Sequence, residues 1–255
     1  MAVLGFLVVA ALVGFVVLPT VQGRAAGIDP YSAICRALGI APGAPSAVTP
    51  AVTTPAVPVS QVTWSDATRA LLRGSGAGAG EAVAQSTCIA CHAKDGSAAD
   101  PMTMPSLAGQ TAPAIYKELS DYRSGARTHP IMSAMAATLT EPQVAQVAAY
   151  YSSLVRRPVD ERARAVLPRQ EEYLVTQGDP ARRIAPCAAC HAASAGGPIE
   201  APSLNGQYES YLAIQMRAFA AGTRHNDLFA RMRVLSARLT DAEIQRLARY
   251  YAAAR

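Results

Sequence analysis

The chain has 255 residues, of which 51% are hydrophobic and 16% charged, and its formal net charge is +5. That apolar content excludes a disordered polyelectrolyte, which would be rich in charge and poor in large apolar side chains. Only Lys94 and Lys117 are lysines among 23 basic residues, no Lys/Arg run is dense enough for a nucleic-acid surface, and five cysteines are too few for a disulfide scaffold.

Ala2 to Leu18 carry no charge, and Arg24 is the first charged side chain. An apolar run of this length predicts one membrane anchor over residues 1–22, retained rather than cleaved, with the remainder exported. No second run is long enough to span a bilayer, which excludes a polytopic membrane protein. Asp29 as N-cap, Pro30 at the first helical position and Gly39 at the end predict a short helix. Its apolar stripe is Tyr31, Ile34, Cys35 and Leu38, so Cys35 is expected to be a buried, inert thiol. A helix this short must lean on a membrane, a partner subunit or the following domains. Residues 41–59 carry five prolines and predict an extended linker; its reach is about 60 Å. Residues 23–64 therefore form a short amphipathic helix plus linker. Gly74 to Gly78 is expected to be a flexible piece before the first folded unit.

The remainder is a repeat. Cys88-Ile89-Ala90-Cys91-His92 returns as Cys187-Ala188-Ala189-Cys190-His191 at an offset of 99. Pro105-Ser106-Leu107-Ala108-Gly109-Gln110 returns as Pro202-Ser203-Leu204-Asn205-Gly206-Gln207, and Gly125-Ala126-Arg127 as Gly222-Thr223-Arg224, both at 97. Leu139-Thr140 and Tyr150-Tyr151 return as Leu239-Thr240 and Tyr250-Tyr251 at 100. Landmarks kept in one order mean a duplicated domain, assigned to residues 65–160 and 161–255. Each copy is small, and a bound cofactor would complete its core. The pattern is helical throughout. Thr140 and Thr240 are helix starts. Val144, Val147, Ala148 and Tyr151 form the apolar stripe of one closing helix; Ile244, Leu247, Ala248 and Tyr251 form the other. Tyr116 to Arg123 and Tyr211 to Ala221 are the preceding helices, and a short helix leads into each cysteine motif.

Cys-x-x-Cys-His signals covalent c-type haem attachment, with Cys88 and Cys91 or Cys187 and Cys190 taking the vinyl groups and His92 or His191 binding iron. A zinc site would need both cysteine pairs together and neither histidine. A thioredoxin-like pair would need flanking strands that are absent. A second axial ligand is needed. His129 and His225 have no matching histidine in the other copy and are expected to be loop or surface residues. Met132 and Met232 each lie seven residues before Leu-Thr, and they follow His92 and His191 by 40 and 41 residues. Met135 aligns with Leu235 and is expected in the core; Met216 is expected to pack, and Met102 and Met104 sit too close to His92. Haem propionates want guanidinium partners, and the repeat-matched Arg127 and Arg224 are candidates.

On these motifs residues 77–254 resemble the cytochrome c4 family, exported dihaem proteins built from two class I cytochrome c domains. The resemblance implies an all-α fold of two tandem domains, each wrapped round one covalent haem c, here preceded by a transmembrane helix and linker. It implies that the Pro105 and Pro202 carbonyls hold His92 and His191, and that Met132 and Met232 ligate iron. The implied activity is electron transfer in a respiratory chain, between a quinol-oxidising complex (quinol:cytochrome c reductase) and a haem-copper terminal oxidase. The alternative is a cytochrome subunit of a periplasmic dehydrogenase or respiratory complex. An enzyme such as a dihaem peroxidase would need an open haem face, which methionine at both aligned positions disfavours. The expected location is the bacterial inner membrane with the haem domains in the periplasm. Residues 65–160 are neutral and 161–255 carry net +4, with Arg231 and Arg233 flanking Met232. The second domain is therefore expected to dock an acidic partner with salt-sensitive on-rates.

Overall fold

The structure is a computed structural model that describes residues 5, 10–18, 21, 59–156, 169–191 and 197–254. It divides into two compact units, Met1–Ala56 and Val57–Arg255. In the first, Ala10 to Leu18 are helical, with a π-helical stretch at Val13–Val17. Among the described residues no helix is long and apolar enough to cross a membrane. Much of the expected anchor, the Asp29–Leu38 helix with Cys35, and most of the proline linker lie outside the described residues.

The second unit is helical. Its elements are α1 (Asp66–Gly74), α2 (Ala77–Thr87), α3 (Ile89–His92), α4 (Ala112–Ser124), α5 (Pro130–Ala137), α6 (Glu141–Ser153), α7 (Arg169–Thr176), α8 (Ala188–His191), α9 (Glu209–Ala220), α10 (Arg231–Ser236) and α11 (Asp241–Ala253). Among the described residues the nearest thing to a sheet is one isolated bridge, Asp179 to Ile184. Thr140 and Thr240 each cap a closing helix by a reciprocal box with Gln143 and Glu243. A hydroxyl accepts one free N–H while the side chain three residues on returns to the cap's own N–H. Thr111 caps α4 through the Ala114 N–H, and Gly125 ends it at φ 80°, a left-handed conformation that costs glycine nothing.

Both predicted stripes are buried: Val144, Val147, Ala148 and Tyr151 in one core, Ile244, Leu247, Ala248 and Tyr251 in the other. The Gly74–Gly78 segment differs from its expectation. Gly74 ends α1, and Ala77 and Gly78 begin α2, leaving only Ser75 and Gly76 between helices. Further along α2, glycine serves close approach. A Cβ on Gly80 would sit 1.9 Å from the Gln146 carbonyl oxygen, so only a hydrogen there lets α2 and α6 touch.

The two copies close on each other through side-chain-to-backbone exchanges. The Gln110 amide donates to the Ser203 carbonyl (3.0 Å) and accepts from the Ser203 N–H (2.7 Å). Gln207 does the same with Ser106, at 2.9 and 2.8 Å. Arg156, three residues past α6, donates to the carbonyls of Ala108, Ser203 and Asn205. The copies are not identical. Arg127 precedes Met132 by five residues and Arg224 precedes Met232 by eight. The longer loop contains Phe229 and Ala230 at φ 58° and 56°, a conformation that side chains with a Cβ adopt at a cost.

Candidate functional site

Each Cys-x-x-Cys-His motif folds as a single helical turn. The N–H groups of Cys91 and His92 bond back to the Cys88 carbonyl at 3.2 and 3.0 Å, and Cys190 and His191 do the same to Cys187 at 3.2 and 3.0 Å. One turn brings residues three and four apart to one side, so both thiols and the imidazole gather there. Cys88, Cys91, Cys187 and Cys190 are free, half-buried thiols. Burial is the largest influence on Cys88 and Cys187 and pushes both thiols up, the second to about 11. Tyr151 and Tyr251, in the cores below, interact with these two thiols. Neither hydroxyl has a hydrogen-bond partner of good geometry.

His191 Nδ1 lies 2.9 Å from the Pro202 carbonyl oxygen. An N–H donated there fixes the tautomer and leaves the Nε2 lone pair able to bind a metal. His92 is buried, and the Pro105 carbonyl faces it. That contact falls short of hydrogen-bond geometry, so Nδ1 is a buried polar atom still wanting a partner. Burial pushes both imidazoles below their ordinary pKa, outweighing the carbonyls that pull them up. The neutral form favoured in this way is the one that binds metal.

Met132, in the first turn of α5, and Met232, in the first turn of α10, are both half-buried. Met102 is 60% exposed, and Met216 packs against the second core as expected. His129 is exposed and caps α5 with its ring nitrogen, accepting from the Ile131 and Met132 N–H groups. His225 lies in the loop before α10, as expected, half-buried and with a ring nitrogen that finds no partner. Among the described residues no three His, Cys, Asp or Glu side chains gather closely enough to hold a metal ion by themselves. Free paired thiols, an imidazole (buried at His92, half-buried at His191) and a half-buried thioether in each copy are the donor set a c-type haem takes.

Arg127 and Arg224 meet between the copies. Arg127 donates to Glu118 at 2.7 Å and Gln215 at 2.9 Å; Arg224 pairs with Glu118 at 3.0 Å and donates to Gln215 at 2.7 Å. Asn226, fully buried, donates to Glu118 and Asp121 at 2.9 and 2.7 Å, and Lys117 pairs with Asp121 at 2.5 Å. Burial pushes Glu118 up, but Arg224, Lys117, Arg127 and the Asn226 amide outweigh it and hold the carboxyl well below the usual range. Three cations face two carboxylates. Sequence reasoning passed over Glu118, Asp121 and Asn226, and it used Gln110 and Gln207 only as landmarks, although their recurrence was the signal. Arg231 and Arg233 are not free charges for a partner either: Glu200 and Asp227 pair with them at 3.0 and 2.7 Å.

Comparison with known proteins agrees with this geometry. The family described as Cytochrome c matches residues 77–154 and 183–252. A cytochrome c4 from Thiocapsa roseopersicina is 34% identical over 175 residues, covering 68% of this chain and 89% of its own. A thiosulfate dehydrogenase electron acceptor from Stutzerimonas stutzeri A1501 is 36% identical over 172 residues, covering 65% and 77%. The crystal structure of reduced recombinant cytochrome c4 from Pseudomonas stutzeri matches with a TM-score of 0.63 at 30% identity, over 71% of this chain and 100% of that one.

Proposed function

The chain belongs to the cytochrome c family, as a two-domain member of the cytochrome c4 type, and from that premise we propose that it relays electrons between two protein partners of a respiratory chain. Two covalent haem c groups, one per motif, are its cofactors. Each haem supplies one-electron exchange at iron; the protein supplies attachment, ligands, exclusion of water and docking. In this proposal Cys88, Cys91, Cys187 and Cys190 would hold the haems as thioethers, and His92 with Met132, and His191 with Met232, would be the side chains that ligate iron. Pro105 and Pro202 orient the histidines. The one positive charge left over among Lys117, Arg127, Arg224, Glu118 and Asp121 would be balanced by propionates, which would share guanidiniums already engaged with Glu118.

The observation that carries the proposal is the pair of one-turn helices, each ending in an inward imidazole with its outer nitrogen toward a proline carbonyl. On the donor side a quinol-oxidising complex is the first reading, with a haem-copper oxidase as acceptor. A periplasmic dehydrogenase as donor is the second, favoured by likeness to proteins named as thiosulfate dehydrogenase electron acceptors. The uncharged run Ala2–Leu18 would tether the carrier to the inner membrane, with the haem domains in the periplasm. Stopped-flow mixing of the oxidised holoprotein with quinol-reduced complex, or with thiosulfate-reduced dehydrogenase, tests both readings. Fast reduction by the first alone supports the respiratory reading, and by the second alone the dehydrogenase reading. Reduction by neither sinks both.

A further inference from the structure

The two methionine loops are held differently, and the difference leads out of the second copy. In the first copy Met132 follows a compact N-terminus: His129 caps α5 and Pro130 opens it. In the second, the three-residue-longer loop ends in the left-handed pair Phe229 and Ala230, and α10 begins with no side-chain cap. A loop that stores backbone strain persists only where its surroundings hold it. Two carboxylates do so. Asp227 accepts from the Arg233 backbone N–H and Nε at 2.9 and 2.7 Å. Glu200 accepts from Arg231 Nη1 at 3.0 Å, and the Arg231 guanidinium stacks 4.9 Å over the Phe229 ring.

The second oxygen of Glu200 accepts from the indole N–H of Trp64, also at 3.0 Å. Trp64 lies before α1, outside the residues that match the family, at the end of the segment that leads in from the linker. Its ring is anchored 6.2 Å from Tyr116 in the first core. The Glu200 side chain is only 11% exposed, so both of its oxygens are committed to these two donors. The first copy supplies the control. The repeat aligns Thr103 with Glu200 and Ile131 with Arg231, a pair that cannot form an ion pair.

We infer that Trp64 and Glu200 are positioning residues for Met232: the segment entering the first domain grips the methionine loop of the second through Glu200 and Arg231, and so sets how firmly Met232 stays on its iron. The inference rests on Met232 being the ligand. It makes the second haem, and not the first, responsive to what happens at the linker's end.

The probe is imidazole, which competes with a methionine ligand for iron. The experiment titrates imidazole into the oxidised holoprotein and follows the methionine–iron charge-transfer band. Met232→Ala identifies the band of the second haem; its survival in that variant refutes the ligand assignment itself. With the band assigned, Glu200→Gln keeps size and removes charge, and should raise imidazole affinity at that haem about three- to fivefold, the size of one partly exposed ion pair. Trp64→Phe keeps an aromatic ring against Tyr116 and removes the N–H together with the five-membered ring; it should raise affinity at the same haem about twofold. The Met132 haem should keep its wild-type affinity in both. Equal changes at both haems, or none at either, overturn the inference.

Discussion

Glu118→Gln tests whether the buried ionic cluster holds the two domains together. The carboxylate meets four donors: Arg127 at 2.7 Å, Asn226 at 2.9 Å, Arg224 at 3.0 Å and Lys117 at 3.2 Å. The side chains of Lys117, Arg127 and Arg224 are 5%, 12% and 14% exposed, so water cannot replace a lost partner well. Glutamine keeps the shape, but its NH2 must face a cation, and its single oxygen accepts without charge. The loss is close to two charge-assisted hydrogen bonds, and Glu118 itself retains 28% exposure, which softens it. About 3 kcal/mol is expected, which lowers Tm by about 6–12 °C in a protein of this size. Far-UV circular dichroism of the holoprotein during heating, with urea unfolding at neutral pH, measures it. The pH dependence has a definite sign. Because the folded carboxyl is held low, its contribution is full above the unfolded pKa of about 4.3 and is lost as pH falls through the folded value. The gap between wild type and variant should therefore be constant from pH 6 upward and narrow only in acid. A Tm within about 1 °C of wild type, or a gap that narrows as pH rises, would refute the cluster's role.

Gly80→Ala should lower stability by about 2–3 kcal/mol, because a Cβ placed 1.9 Å from the Gln146 oxygen and 2.9 Å from the Tyr150 Cβ must prise α2 from α6. At Gly125 (φ 80°) the same substitution meets nothing within 4 Å and should cost only about 1 kcal/mol; equal thermal shifts for the two would contradict the close-approach argument. Gln207→Ala strands the Ser106 N–H and carbonyl at the domain contact, whereas Gln110→Ala strands the Ser203 N–H but leaves its carbonyl with Arg156, so urea unfolding should show a loss of about 2 kcal/mol for the first and about 1 kcal/mol for the second. A loss in only one would mean that the exchange is not reciprocal in solution.

Much of the fold was legible because the chain contains its own alignment. Two copies of Leu-Thr followed by one stripe and Tyr-Tyr located the closing helices, and the structure buries each stripe residue named. The features that stayed hidden depend on partners distant in sequence. Glu118 and Asp121, three apart on α4, look like an ordinary solvated face. They are drawn inward only when Arg224 and Asn226 of the other copy arrive 105 or more residues later. Arg231 and Arg233 read as free charge because Glu200 is 31 residues away and Asp227, though near, shows its role only in the loop's shape. The Gly74–Gly78 run misled for a different reason: glycine is permissive, and permissiveness serves helix ends and close contacts as readily as flexibility.

One structural difference was nevertheless visible in the repeat. The offset between copies moves from 97 at Gly-x-Arg to 100 at Leu-Thr, which puts three extra residues between Arg224 and Met232. An insertion beside Met232 must either displace that side chain or be restrained by contacts that the shorter copy lacks. The chain takes the second course, with left-handed Phe229 and Ala230 absorbing the added length and Asp227 and Glu200 pinning the first turn of α10. A duplicated sequence therefore carries two kinds of information. Where its copies agree, it identifies the parts that both haems require; where the offset changes, it identifies the part that can make the two haems unequal.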